Sequence, residues 1–320
     1  AAETQLTQSG WNSVRWSPDS TRLVMLKPGF TSAPVDGPVA VVNVGDGAVQ
    51  TIPQVGVEAI WSPDGEYLLV ASIDRRMWLY SFKDNQVALI SGASGWPVAW
   101  LTDGRLIYGT DLGLQSARLS LPAAGEAPGR VSVTEPVSLV AFDGSAGNRW
   151  ASPSPTLDTI VLYDGSNDSD RKWWLVQPDG AQVDLEKPFY SIGACCAWSK
   201  DGRRFGFFSK GVELSIYVVD PDGANLKQVL PAGAIGDGTF ISMDFSPDGQ
   251  TIAFEWSARD EHFPFANTQI YLVNTDGSGL LNFTPDSAPH RWLRWSPDGQ
   301  YIAYLGAQDT VWVAQVDTSP

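Results

Sequence analysis

Histidine, cysteine and positive charge are scarce in this chain. Only two His and two Cys occur among 320 residues, and no cysteine pair is spaced Cys-x-x-Cys. A thiolate zinc site or dithiol redox motif of that kind is therefore excluded. The 21 Lys and Arg stand against 36 Asp and Glu, a net charge of −15, and no five basic residues run together. Duplex nucleic acid and anionic lipid both call for concentrated positive charge, so neither is expected as the main partner. Long apolar runs are missing too. Stretches such as Val39–Val42 and Tyr217–Val219 are strand-sized, well short of the ~18 residues of a membrane span. Charged residues make up 18%, beside 31 Gly and 22 Pro, which disfavours a helical protein. A chain this long buries roughly 75% of its unfolded surface, so its core needs no disulfide or metal to hold it.

Tryptophan, by contrast, is abundant, with 14 residues, and an internal repeat accounts for it. A pentapeptide recurs as Trp16-Ser-Pro-Asp-Ser20, Trp61-Ser-Pro-Asp-Gly65, Trp100-Leu-Thr-Asp-Gly104, Trp198-Ser-Lys-Asp-Gly202, Phe245-Ser-Pro-Asp-Gly249 and Trp295-Ser-Pro-Asp-Gly299, with a degenerate copy at Ala151-Ser-Pro-Ser-Pro155. The copies lie 45, 39, 51, 47, 47 and 50 residues apart. The 25 residues after Trp295 and the 16 up to Trp16 together make 41, one more period split between the two ends. A closed ring explains that split; a linear array does not.

Each period alternates apolar and polar residues between turn signals, as strands require. Strands are predicted after the motif at Tyr67–Ala71, Phe205–Ser209, Ile252–Glu255 and Ile302–Leu305, then at Met77–Tyr80, Trp173–Val176, Ile216–Val219, Ile270–Val273 and Val311–Ala314. Asp-Gly turns and a shorter fourth strand follow. Four antiparallel strands per ~45-residue period make the blade of a β-propeller. The expectation is an all-β, seven-bladed β-propeller of four-stranded antiparallel blades, forming a single domain over residues 1–320. Thr4–Thr7 resembles the fourth strand at Lys227–Leu230, so the N-terminal strand should complete the last blade and close the ring. Residues 121–150 fit least well. Val137–Phe142 reads as an extra hairpin or a diverged inner strand, and the segment is taken as an insertion before the fourth inner strand.

Ser-Pro-Asp-Gly is itself a tight turn: Pro presets φ, Asp bonds back to nearby amides, and Gly takes the left-handed conformation. The preceding Trp ends the innermost strand and is expected to wedge between neighbouring blades. The segments Tyr217-Val-Val-Asp-Pro-Asp-Gly-Ala-Asn225 with Phe245-Ser-Pro-Asp-Gly-Gln-Thr-Ile-Ala-Phe254, and Tyr271-Leu-Val-Asn-Thr-Asp-Gly-Ser278 with Trp295-Ser-Pro-Asp-Gly-Gln-Tyr-Ile-Ala-Tyr304, resemble the WD40-like repeat of TolB-type propellers. The resemblance spans essentially the whole chain and implies the fold. TolB-type proteins carry six blades and an extra α/β domain, which this sequence does not show, so their partner contacts are not carried over.

Turns after first and third strands lie at one end of such blades and are uniformly short here. Length varies at the other end, in Lys27–Gly37, Asp164–Arg171, Pro231–Gly238, Ser257–Asn267 and Thr284–His290, where binding is expected. The candidate ligand-binding residues there fall into three sets. Asp260 and His262 lie on one loop, with Asp286, His290 and Arg291 on the next; solvated polar loops are the plainer alternative to a site. Trp96, Arg149, Trp150 and Trp292 lie near the starts of inner strands and are suited to stacking on a sugar or gripping a peptide, or simply to packing blade on blade. Cys195 and Cys196 either close a strained vicinal disulfide, favoured in an oxidising compartment, or remain reduced core residues.

No catalytic, metal or cofactor site is assigned. Gly-x-Ser-x-Gly, needed by hydrolases that carry such propellers, is absent. Seven-bladed lyases resembling oligogalacturonate lyase use several histidines around a metal, more than this chain has. A glycosidase would need paired carboxylates, for which Glu58 and Asp244 on inner strands are the candidates. The expected function is non-catalytic binding or scaffolding, with a protein or glycan recognised through the loop-rich face; a carbohydrate-active enzyme is the alternative. Acidic charge, few Lys and the TolB resemblance suit a bacterial periplasm or cell exterior.

Overall fold

The computed structural model describes residues 2–8, 10–27, 29–30, 34–121, 131–141, 149–156, 159–164, 172–177, 181–184, 196–209, 214–258, 268–285 and 288–316. The chain divides into two compact units, one of residues 10–146 and one of residues 1–9 with 147–320. Strand is the dominant element in both. Among the described residues the regular structure that is not strand is one 3-10 turn, Ala307–Asp309, and no helix is long and apolar enough to cross a membrane.

Among the described residues, the unit of residues 10–146 holds three groups of four strands and a two-stranded pair, Gly29–Phe30 with Pro34–Val35. The first sheet runs Ser13–Trp16, Arg22–Leu26, Gly37–Asn43, Val49–Gly56, in that spatial order. The second runs Glu58–Trp61, Tyr67–Ala71, Met77–Ser81, Gln86–Ser91, and the third Trp96–Trp100, Arg105–Thr110, Gly113–Leu119, Val131–Ala141. Within each group neighbours are antiparallel. The second and third groups are joined where Ile90 and Ser91 pair in parallel with Val131 and Ser132.

That joint corrects the reading of residues 121–150 as an insertion. Val131–Ala141 is the outermost strand of the third sheet, paired along Gly113–Leu119. Its register breaks near Thr134–Val137, where Glu135 takes a left-handed φ of 51° and Pro136 follows. A bulge and a proline on an outer strand break the regular pairing pattern, which hid the strand from a period-two search.

The larger unit holds four sheets in the same pattern. The fourth is Arg149–Pro153, Ile160–Asp164, Lys172–Val176, Gln182–Asp184; the fifth is Cys196–Trp198, Phe205–Phe208, Ile216–Val219, Lys227–Leu230. The sixth is Gly238–Phe245, Thr251–Ala258, Thr268–Asn274, Leu281–Asn282. The seventh takes Arg291–Trp295, Tyr301–Leu305 and Val311–Gln315 from the end of the sequence and Glu3–Gln5 from its start. Glu3, Thr4 and Gln5 pair with Ala314, Val313 and Trp312. Beyond them the Leu6 amide donates to the Val311 carbonyl (2.8 Å), and the Val311 amide donates to Thr7 Oγ1 (3.2 Å). The N-terminal strand thus completes the last sheet, as the register predicts.

The motif turn behaves as its chemistry requires. At the second copy, the Tyr67 amide donates to Ser62 Oγ (2.9 Å), Ser62 Oγ donates to Asp64 Oδ1 (2.5 Å), and Gly65 has φ +71°. The equivalent serines 17, 199, 246 and 296 accept the amide five residues on in the same way. Ser154 does so too, from Thr159 at 3.2 Å. The degenerate copy is therefore Pro153-Ser-Pro-Thr-Leu157, two residues later than its Ser-Pro pattern suggests, with Pro153 in the tryptophan's place. The serine hydroxyl decides the register, and a repeated Ser-Pro pair disguised it. At Asp248 the Ser246 hydroxyl holds the carboxyl below its ordinary value.

Trp61 wedges between sheets. It packs with Val24, Val39 and Val41 of the first sheet and Leu68 and Val70 of the second. Its Nε1 donates to the Arg15 carbonyl (3.2 Å), and the Arg22 guanidinium sits 4.8 Å from its ring centre. Trp198 Nε1 likewise donates to the Ser152 carbonyl of the preceding sheet (3.1 Å).

Two outcomes follow for the scaffold. Deleting the first ten residues unpairs the edge of the seventh sheet and should lower stability by several kcal/mol; an unchanged Tm on thermal melting would contradict it. Trp61→Ala should cost about 3–5 kcal/mol, as a buried aromatic truncation does, read by denaturant titration.

Candidate functional site

The seventh sheet offers a cavity built from its own cross-strand rows. Gln5 pairs with Trp312, and Trp312 with Tyr304, so these side chains share one face of adjacent strands. Tyr304 is buried, and so is His290, whose ring lies 5.0 Å from the tyrosine ring. The His290 amide donates to the Thr268 carbonyl of the sixth sheet (2.8 Å). These residues, with Glu3, Gln308 and Thr310, line a cavity of about 270 Å³.

The turn over this cavity is strained and held. Gln308 and Asp309 both adopt left-handed φ, 58° and 56°, an uncommon state for residues other than glycine. Arg291 Nη2 anchors Asp309 Oδ1 at 2.6 Å. Trp312 Nε1 donates to Thr310 Oγ1 (2.8 Å), which in turn donates to the Ala307 carbonyl (2.9 Å). Gly306 is required at the base of the turn: a Cβ there would meet Trp312 Nε1 at 2.7 Å. The indole is thereby fixed before any ligand arrives.

Beside Arg291 the inner strand bulges. Pairing with Tyr301–Leu305 shifts register between Arg291 and Arg294, and Trp292 stands at φ +60°, 41% exposed. A bulge frees backbone amides that must be satisfied elsewhere. Glu255, from the sixth sheet and 1% exposed, supplies the acceptor: the Leu293 amide donates to its Oε1 at 2.7 Å. Burial pushes the Glu255 carboxyl above its ordinary value, with the Leu293 amide, the Ser242 hydroxyl and the Arg294 charge pulling the other way. Asp244 does a similar task nearby, its Oδ2 accepting the Trp295 amide (2.9 Å), and burial likewise raises it.

The candidate residues meet different fates. His290 and Arg291 belong to this end of the seventh sheet, but as a buried wall and a clamp rather than as solvated loop residues. Trp292 is exposed beside them and not packed away. Asp260, His262, Asp286 and Cys195 lie outside the described residues, so the pairing of the two histidine loops and the vicinal disulfide are not described. Cys196 is half-buried against the core of the larger unit. Arg149 and Trp150 begin the inner strand of the fourth sheet, opposite Asp164 and Tyr163; their side chains are not among those described. Trp96 packs against the core of the second and third sheets, the plainer of its two readings. Of the carboxylates proposed for catalysis, Glu58 is ion-paired to Arg15 at 2.9 Å, and Asp244 is committed to the Trp295 amide. Among the described residues no three His, Cys, Asp or Glu converge as metal ligands.

The motif end is not featureless. A cavity of about 620 Å³ opens there between the sixth and seventh sheets, lined by the turns around Asp248 and Asp298 with Leu272, Leu281 and Trp295. Short turns alone are legible at this end in the sequence; the cavity is not, because a gap between adjacent turns leaves no mark on either. The left-handed Trp292 and the role of Glu255 were equally illegible, since neither has a local signature.

Comparison with solved structures settles the fold class. The β-propeller domain of Myceliophteria thermophila Cps50 (Swd1) aligns over 99% of this chain and 100% of its own, with a TM-score of 0.66 and 12% identity. The fold is a β-propeller. An oligogalacturonate lyase in complex with manganese aligns over 99% of this chain and 93% of its own (TM-score 0.66, 13% identity), and the oligogalacturonate lyase of Vibrio parahaemolyticus over 99% and 94% (0.65, 12%). At such identities the propeller alone is shared. TolB of Acinetobacter baumannii aligns with a TM-score of 0.46, too loose to carry an argument. No protein-family model and no curated protein matches the chain.

Glu255 makes a prediction of defined sign. Its folded-state pKa stands above the unfolded one, so its contribution to stability is complete below the unfolded value, about pH 4, and is lost as pH rises through the folded value. Glu255→Gln keeps an acceptor for the Leu293 amide and carries no titrating proton. It should match the wild type at about pH 4 and equal or exceed it at neutral pH. Glu255→Ala orphans the amide and should cost about 1–3 kcal/mol throughout. Thermal melts of the three proteins across this pH range are the check.

Proposed function

We propose that this chain is a seven-bladed propeller, one domain over residues 1–320 whose ring is closed by the N-terminal strand. It binds a protein or glycan through its loop-bearing end without catalysing a reaction, and works outside the cytoplasm, in a bacterial periplasm or at a cell exterior. The seven groups of four strands support the blade number. The acidic charge and the repeat resemblance support the location.

The observation that carries the binding reading is Trp292. An exposed indole on a left-handed bulge is a costly arrangement, and here a buried carboxylate from the neighbouring blade maintains it. The preformed cavity with its fixed Trp312 lies at the same end of the blade. The larger cavity at the motif end is walled by the repeat itself, so it carries less that is individual to this protein. The plausible acids argue in the same direction: Glu58, Asp244 and Glu255 each spend an oxygen on an ion pair or a backbone amide.

The second reading is a carbohydrate-active enzyme, with Glu58 or Asp244 as its acid. Glycan-array and partner-capture binding, run beside hydrolysis and lyase assays on one preparation, separates the two. Binding without turnover is expected, with Trp292→Ala reducing binding about ten-fold or more, as loss of a central aromatic contact does. Its Tm should stay within about a degree or two of the wild type, as for surface changes generally. Turnover abolished by Glu58→Gln or Asp244→Asn would overturn the binding reading.

A further inference from the structure

We propose that the cavity of the seventh blade receives a cationic side chain, a lysine ammonium or an arginine guanidinium, presented by a partner protein. The proposal rests on the reading of this end as a binding surface and names what it binds.

The first argument is the chemistry of the wall. Tyr304, Trp312 and His290 contribute rings, and Glu3 contributes a carboxylate at the exposed edge strand. Aromatic faces carry negative potential that attracts a cation within about 6 Å of the ring centre. Gln5 and Gln308 add side-chain amides to the lining. Among the described residues no Lys or Arg lines the cavity, and the nearby Arg291 has its charge offset by Asp309. An anionic group would meet the Glu3 carboxylate with no described Lys or Arg in the lining to offset it.

Size and field point the same way. Small-molecule sites span roughly 300–1,000 Å³, so about 270 Å³ suits one long side chain better than several sugar rings. A net charge of −15 raises the local concentration of basic partners and speeds their encounter. Preorganisation completes the case: the indole of Trp312 is locked through Thr310 and fitted against Gly306, so little side-chain freedom is left to lose on binding.

The test uses three blocked tripeptides, acetyl-Gly-X-Gly-amide with X as lysine, arginine or the neutral isostere norleucine, together with a neutral oligosaccharide. Binding is read by calorimetry and tryptophan fluorescence at low and high salt. The lysine and arginine peptides should bind about ten-fold or more tighter than the norleucine peptide, and less tightly at high salt. Glu3→Gln should weaken them several-fold, Glu3→Lys should abolish binding, and Trp312→Leu should cost about three- to thirty-fold. Glu3 is exposed on its strand, so its variants keep the test open if Trp312→Leu fails to fold.

Equal binding of the norleucine peptide would overturn the proposal. So would cationic peptides that ignore Glu3→Lys, since they would then be held elsewhere on an acidic surface. An oligosaccharide that binds at Trp312 with no preference for cations would overturn it as well, while leaving the loop-end binding reading intact. That reading fails separately, through turnover or through partner binding indifferent to Trp292→Ala.

Discussion

The structure depends on a hydrogen bond from a backbone amide to a buried serine hydroxyl five residues earlier. Serines 17, 62, 154, 199, 246 and 296 are all nearly inaccessible, and each accepts such an amide. The bond closes the turn between a sheet's first and second strands at a set length. Alternate side chains then fall on the faces that bury them. The residue before the serine is delivered into the gap between neighbouring sheets, which Trp61 fills with apolar contact, a carbonyl bond and an arginine over its ring. Where Leu101 replaces the serine, its amide bonds the Arg105 carbonyl one residue sooner, and the turn survives in a shorter form.

Uniform turns at one end of the blades leave the opposite end to vary. The seventh sheet shows what that freedom permits. Its first strand is bulged, its turn at 306–310 contains two successive left-handed residues, and its last strand comes from the other end of the sequence. Each departure is held by a specific partner: Glu255 for the bulge, Arg291 for Asp309, Val311 for the N-terminal strand. Strain with an identifiable restraint at one place is the observation on which the proposed site rests.

Legibility in the sequence tracked how local each interaction is. The turn chemistry, the alternation and the repeat spacing are all encoded within about ten residues, so the strands, the four-strand units and the pairing of the two ends could be read directly. Two segments defeated that reading for local reasons. Pro153 in the tryptophan's place and a doubled Ser-Pro shifted the fourth copy by two residues. Glu135 and Pro136 interrupted the alternation of a strand that nonetheless completes the third sheet. The candidate site fared less well: His290 and Arg291 were singled out as a loop pair, yet one is a buried wall and the other a clamp.

Sequence alone therefore determined the repeating unit, because a turn, its serine and its wedge residue are neighbours along the chain and their energetics are settled between them. Tertiary structure decided where a site can be. The Leu293 amide finds its acceptor on Glu255, 38 residues away, and Tyr304 meets Gln5 through Trp312 only because the chain's two ends share a sheet. Burial of a carboxylate, the freeing of an amide by a bulge and the fit of an indole against Gly306 arise when strands distant in sequence are packed together. No local pattern records them.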